Sequence, residues 1–484
     1  MSHETEPETS SEGDGKLAAP PMVTALVLAW CVSEPHRAGE VAIPPPGREV
    51  MWGRGGDEAG APRLSFQRHR PGRVVPVGEV RAPQVSRDQL RVRALAGEWL
   101  EIRSVGRASV LLNGDPQSVF FAMPGDVIEV GRQVALLVVQ RPAFLQGPAR
   151  EEGFSFGAPD AGGVVGESPA IWELRRRVKL LGAHAGHVLV LGESGTGKEL
   201  VARALHRCSP RGARPLVARN AATLPEGLAA AELFGNLKSY PNPGTPERPG
   251  LVGEADGTTL FLDEIGELPH AVQAQLLRLL DSGEYHRLGE ARARRSDVRV
   301  LAATNRPASA LKHDLAARFL LRVHVPGLNE RREDIPLLAA HLLRQLAARD
   351  PPIAGRFFDG DAPRLSLAFV RALLRRSYAT HARELAALVW EALSESTGDR
   401  IELPARAAQP ANAAESAGDD RHQPHALGAI EDSQAGLSPG AIQACLDEHN
   451  GVIEDAWRPL GLSSRHALAR LIKKHGLGIR RRAR

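Results

Sequence analysis

The sequence predicts a multidomain chain: an N-terminal all-β sandwich, a central α/β P-loop domain with a helical lid, and a C-terminal all-α helix-turn-helix. Three observations carry that prediction. Residues 21–142 are short apolar runs at regular spacing, separated by Gly, Pro and Asn turns. From Val188 to Lys198 an apolar strand, a glycine loop and a helix start follow one another directly. Residues 436–484 read as short helices with a basic end. At 484 residues the chain is too long for a single core.

Residues 1–20 carry Glu4, Glu6, Glu8, Glu12 and Asp14 against Lys16, with Ser and Gly between, and are expected to be a disordered acidic tail. The apolar run Met22 to Val32 is too short to span a bilayer and lacks the basic flank of a signal peptide, so it reads as a strand. Cys31, Cys208 and Cys445 show no metal-ligand spacing and suit the reducing cytoplasm. No membrane segment is expected.

Within the β region the strand candidates are Val23–Cys31, Trp99–Ile102, Val110–Leu112, Val127–Val130 and Val134–Val139. Gly53-Arg54, Ser86-Arg87, Asn113-Gly114 and Pro124 to Gly131 punctuate them. That order resembles a forkhead-associated (FHA) domain, a β-sandwich whose loops read phosphothreonine. The resemblance implies that Arg54, Ser86 and Arg87 contact the phosphate and Asn113 the peptide backbone. Guanidinium and hydroxyl donors on adjacent loops suit a dianion. Gln89 stands where that family usually has a histidine. The plain alternative is a sandwich used only for packing against its neighbours.

A Gly- and Pro-rich linker is expected at 143–162, an α/β subdomain at 163–328, a helical lid at 329–400 and a second linker at 401–435. In the α/β part, Val188 to Leu191 is a buried strand and Gly192 to Gly197 a turn. Glycines there let backbone N–H groups close on phosphate oxygens; Lys198 and the helix N-terminus add positive charge. Glu199 occupies the place of the usual magnesium-binding Ser or Thr. The strand Thr259 to Leu262 then ends in Asp263-Glu264, which puts two acids at the sheet's carboxyl edge. Asp263 can hold magnesium and Glu264 can activate water, the chemistry of ATP hydrolysis. A third strand, Val298 to Ala303, ends in Thr304-Asn305, polar groups able to sense a γ-phosphate.

Several further runs complete the pattern: Val165-Gly166-Glu167-Ser168, Gly192-Glu193-Ser194-Gly195-Thr196-Gly197-Lys198-Glu199, Glu232-Leu233-Phe234-Gly235, Glu330 to Leu338, and Arg383-Glu384-Leu385. Together they resemble the AAA+ ATPase domain of sigma-54-dependent bacterial enhancer-binding proteins. Glu199 is usual in that family. The resemblance implies ATP and Mg2+, with the P-loop on the β- and γ-phosphates, Asp263 on magnesium and Glu264 as the catalytic base. Asn220 would be a switch holding Glu264, and Asn305 sensor I. Arg318 would be an arginine finger acting on the neighbouring subunit, and Arg383 the lid's sensor II. A finger supplied in trans implies a homo-oligomeric ring, a hexamer or heptamer, and the sigma-54 RNA polymerase as partner.

Three departures stand out. The family's Gly-Ala-Phe-Thr-Gly-Ala loop, which touches sigma-54, is replaced by Ser239-Tyr240-Pro241-Asn242-Pro243-Gly244, stiffened further by Pro246 and Pro249. Lys312 stands where a second arginine is common, and Ala379-Thr380-His381 replaces Pro-Gly-Asn before Arg383.

From Gly440 the pattern is helix, turn, helix, turn, helix. Ile442, Cys445 and Leu446 share one face, and Leu468, Leu471 and Ile472 another, with Arg465, Arg470, Lys473 and Lys474 outward. This resembles a Fis-type helix-turn-helix with its last helix in the DNA major groove; the alternative is a small helical dimerisation module with a basic tail. Three functions stay open: an activator remodelling sigma-54 polymerase at enhancer-like DNA, a sigma-54-independent DNA-binding ATPase, and a phosphothreonine-dependent scaffold with a vestigial ATPase.

Overall fold

The computed structural model describes residues 19–55, 62–149, 153–307, 311–404 and 439–448, with positions 456, 460, 468, 471 and 472. The chain forms two compact units, Met1–Ala411 and Asn412–Arg484. The acidic tail to residue 18, the second linker from residue 405, and Arg465, Arg470, Lys473 and Lys474 lie outside the described residues.

The first unit begins with two antiparallel sheets. One has eight strands, with Met22–Cys31 and Val134–Pro142 side by side at its centre; the other has four, from Val119–Ala122 to Glu49–Trp52. Strand side chains alternate between faces, and here both faces of Met22–Cys31 are covered. Leu26, Leu28 and Cys31 enter the sandwich core with Trp52, Val92 and Ile102. Ala25, Val27, Ala29 and Trp30 face outward into a second core. A bulge between Leu28 and Trp30 breaks the alternation, so Ala29 and Trp30 both join that outer face.

The second core belongs jointly to the sandwich and the lid. Val27, Val127, Ala135 and Leu137 cluster with Leu337, Leu343, Phe369, Val370, Leu373 and Leu374 of the helices Ile335–Ala347 and Leu367–Arg375. Burying each of these Val, Leu and Phe side chains stabilises by roughly 1.5–3 kcal/mol. Charged contacts border the patch. Glu129 pairs with Arg371, Arg375 Nη1 donates to the Asn113 carbonyl at 3.0 Å, and buried Arg141 meets Glu333 at 2.9 Å. Burial pushes the Glu333 carboxyl up, and Arg141 opposes that shift.

The stretch expected to be a free linker is packed in its later part. The Phe154 ring stacks on Trp172 with centroids 6.0 Å apart, and the Arg70 and Arg175 guanidinium carbons each lie 4.8 Å from the Phe154 ring centre. Buried Glu167 accepts from Arg70 Nη2 at 3.0 Å, Trp172 Nε1 at 3.1 Å and Gly157 N–H at 2.8 Å. Arginine over an aromatic face gains electrostatically from the ring quadrupole, so a run that composition marks as loose becomes a joint between sandwich and ATPase.

The α/β subdomain is a five-stranded parallel sheet in the order Leu216–Asn220, Thr259–Asp263, Arg299–Thr304, Val188–Leu191, Leu321–His324. Its inner strands are buried on both faces, which explains their unbroken apolar runs. In the second unit, Ile442 and Leu446 of the helix Pro439–Glu448 cluster with Ala456, Leu468 and Leu471. No helix among the described residues is long and apolar enough to cross a membrane.

Candidate active site

Parallel strands end together, so the residues just past their carboxyl ends share one edge. The turn Gly192–Gly197 leaves Val188–Leu191, and Gly197, at φ +99°, starts the helix Lys198–Arg207. No side chain caps that helix, which leaves its first N–H groups free for an anion. Gly195 has φ +79°, and a Cβ there would lie 2.1 Å from the Thr380 carbonyl oxygen of the lid. The phosphate loop and the lid therefore touch backbone to backbone at a place only glycine fits.

Lys198 is buried, and its Nζ donates to the carbonyls of Gly192 at 3.0 Å and Glu193 at 3.2 Å. The same Nζ lies 3.6 Å from Glu264 Oε1. The other oxygen of Glu264 accepts the Asn305 backbone N–H at 3.1 Å, and the Glu264 N–H donates to Asp263 Oδ1 at 3.0 Å. Glu264 has left-handed backbone, φ +51°, a conformation that side chains other than glycine adopt seldom and that clusters at functional sites. Burial pushes the Asp263 carboxyl up and the Glu264 charge adds to it, with Lys198 only partly offsetting both. An acid pair so poorly neutralised fits a divalent cation shared with phosphate oxygens. No cluster of three metal-ligating side chains occurs among the described residues, so Asp263 would hold Mg2+ without a protein cage.

The lid closes the other side. Arg383 Nη1 donates to Ser194 Oγ at 3.3 Å, and the Ala382 N–H bonds the Gly195 carbonyl at 3.1 Å. Glu199 turns outward to pair with Arg203 at 2.6 Å, and Thr196 Oγ1 donates to the Glu193 carbonyl at 2.9 Å. One expected contact is not made. Asn220 stands beside Asp263 in the sheet register, yet its Oδ1 caps its own turn by accepting the Ala222 N–H at 2.9 Å, while Asn305 holds Glu264. A short amide bonds its local backbone more readily than it reaches across strands. Arg318, at the end of the helix His313–Arg318, bonds Asp281 at 2.6 Å rather than the P-loop.

In the sandwich, Arg54, Ser86 and Arg87 do come together. The Arg54 N–H bonds the Ser86 carbonyl at 3.1 Å and the Gly55 N–H the Arg87 carbonyl at 3.2 Å. Both arginines are exposed. Gln89, fully buried, accepts the N–H groups of Ser86 and Ala108, each at 3.2 Å, and fastens the two loops. Asn113 is not brought to this site. The Arg107 N–H donates to Ser86 Oγ at 2.9 Å before the strand Val110–Leu112 begins, whereas Asn113 follows that strand at its far end. The Asn113 side chain is already used, on Asp126 Oδ1 at 2.7 Å and the Val127 N–H at 3.0 Å. The Arg107 N–H, which carries no motif signal in the sequence, is what ties the loop before that strand to the Ser86 hydroxyl.

A lysine opening the helix after a glycine loop, a paired acid edge and a helical lid touching the phosphate loop define an AAA+ P-loop ATPase, and the central domain is one. The family model described as the sigma-54 interaction domain matches residues 164–326. The transcriptional regulatory protein ZraR of Salmonella typhimurium is 36% identical over 319 residues, 64% of this chain and 68% of ZraR. The DNA-binding transcriptional regulator NtrC of Klebsiella pneumoniae is 46% identical over 194 residues, 39% of this chain. The chain thus spans about two fifths (41%) of the length of NtrC. The solved structure of Brucella abortus NtrX in complex with ATP matches with a TM-score of 0.46 and 28% identity, covering 65% of this chain and 70% of that one. The chain belongs to the family of AAA+ transcriptional regulators built on the sigma-54 interaction domain.

Proposed function

We propose that the protein is an ATP-hydrolysing, DNA-binding transcription regulator of the sigma-54 activator type, with an FHA-like domain that reads phosphothreonine and controls ring assembly. The observation that carries this reading is Glu264, held between Lys198 and the Asn305 N–H at the open edge of the sheet. From there its carboxylate orients and deprotonates the attacking water, while Lys198 and the loop N–H groups bind the β- and γ-phosphates. Asp263 would hold Mg2+, which would supply positive charge to offset that of the phosphates. Arg383 reads the phosphates from the lid. Arg318 bonds Asp281 instead of this site, which supports a finger given to the neighbouring subunit and hence a homo-oligomeric ring. Arg54, Ser86 and Arg87, brought together on adjacent loops, would supply the donors for a phosphate on the sandwich. DNA contact rests on Arg465, Arg470, Lys473 and Lys474. The test is promoter melting with sigma-54 polymerase, ATP and enhancer DNA; no ATP-dependent melting would end this reading.

A second reading, an ATPase regulator that does not touch sigma-54, is favoured by the loop after Phe234. Buried Asn236 donates from Nδ2 to the carbonyls of Leu237 at 2.9 Å and Pro246 at 2.8 Å, which draws the loop in. The half-exposed Tyr240 ring lies over Gly289, where a Cβ would come within 2.7 Å of it. Melting that occurs in the wild type and is lost in Tyr240→Ala would exclude it.

A further inference from the structure

His381 is a lid residue that the nucleotide chemistry leaves without a role, and three segments constrain it. It opens the helix His381–Glu395 with φ +45°, left-handed backbone for a residue with a bulky side chain, and it is only 2% exposed. Such strain persists only where the surroundings over-determine it. Three segments do so. The ring lies across Gly327, where a Cβ would sit 2.5 Å from His381 Cε1, so only glycine leaves room for it. Nδ1 accepts the Leu328 N–H at 3.2 Å. Because Nδ1 accepts, Nε2 carries the proton, and it donates to Glu193 Oε2 at 2.9 Å.

Each partner has a defined place. Gly327 and Leu328 follow the last sheet strand, Leu321–His324, and lead into the lid, so they are the hinge between the subdomains. Glu193 is a P-loop residue whose carbonyl accepts Lys198 Nζ. Two residues after His381, Arg383 reaches Ser194 of the same loop. One imidazole thus ties the hinge, the start of the lid helix and the phosphate loop together. The Glu193 side chain is 70% exposed, so this tie can open and close in solution.

We infer that His381 is a positioning residue, a latch whose bond to Glu193 sets the angle at which the lid lies on the phosphate loop and thereby holds Arg383 over a bound nucleoside diphosphate or triphosphate. The inference rests on the nucleotide-site reading above. It makes a prediction opposite in sign to simple electrostatics. Glu193 carries negative charge beside the phosphate site, so deleting that charge alone tightens phosphate binding. Deleting the latch loosens it.

The experiment is a titration of the full chain with a fluorescent ADP, for wild type, Glu193→Gln, Glu193→Ala, His381→Ala and the double alanine variant. Gln keeps an oxygen for Nε2–H and loses the charge; it is expected to bind at least as tightly as wild type. Glu193→Ala should bind about threefold to tenfold more weakly, the span of one hydrogen bond. The double variant should be no weaker than His381→Ala. Should His381→Ala fail to fold, the two Glu193 variants decide alone, since their side chain lies in solvent and their melting temperatures should match wild type. Tighter binding by Glu193→Ala, or equal weakening by Gln and Ala, overturns the latch. Absence of ADP binding by the wild type would instead remove the nucleotide-site reading on which the latch stands.

Discussion

His69 makes the joint between sandwich and lid sensitive to pH. It is 3% exposed, and neither ring nitrogen has a hydrogen-bond partner. Burial, with the Arg141 charge adding to it, lowers its pKa from 6.5 to about 4. Between those values the unfolded chain takes up a proton that the folded chain refuses. Stability therefore stands in full above the unfolded value and is lost as pH falls through the folded one. Going from about pH 7 to about pH 5 removes roughly 2 kcal/mol, an upper figure because solvent and relaxation screen part of it. The perturbation is His69→Leu, which keeps an apolar volume and cannot titrate. Urea unfolding of the full chain at the two pH values, followed by tryptophan fluorescence, measures it: wild type should lose about 2 kcal/mol more than the variant. Parallel losses in the two proteins would refute the assignment to His69.

Three further outcomes are expected. Arg141→Ala leaves Glu333 buried without its partner and should cost about 3–5 kcal/mol, whereas Arg141→Met with Glu333→Leu should recover most of that in the same unfolding assay. Arg318→Ala should leave ADP affinity unchanged and lower turnover about a thousandfold at ring-forming concentration; an unchanged steady-state ATPase rate would count against a finger in trans. Arg54→Ala and Arg87→Ala should each weaken a phosphothreonine peptide by calorimetry, while Asn113→Ala should act through stability and not affinity.

The ATPase site was readable in the chain because its parts are local: a strand and its next loop fix Gly192 to Lys198, and Asp263-Glu264 merely end another strand. The same reading misplaced Asn113 and Asn220. An asparagine after a strand has nearby backbone to cap, and which partner it takes depends on neighbours distant in sequence. Phe154 and Phe156 sat in a run whose Gly and Pro content read as a linker, and only arginines from two other segments make that run a joint.

What the sequence determined by itself was the apolar runs of the main strands and the nucleotide chemistry of the loop and acid pair that follow them. From Ala25 to Cys31 every residue is apolar, where a half-solvated strand would alternate, so this strand needs a cover on each side. Tertiary structure alone decided that the outer cover is the ATPase lid. Apolar burial has no direction of its own, so an apolar face states that it must be covered and leaves the partner to the fold.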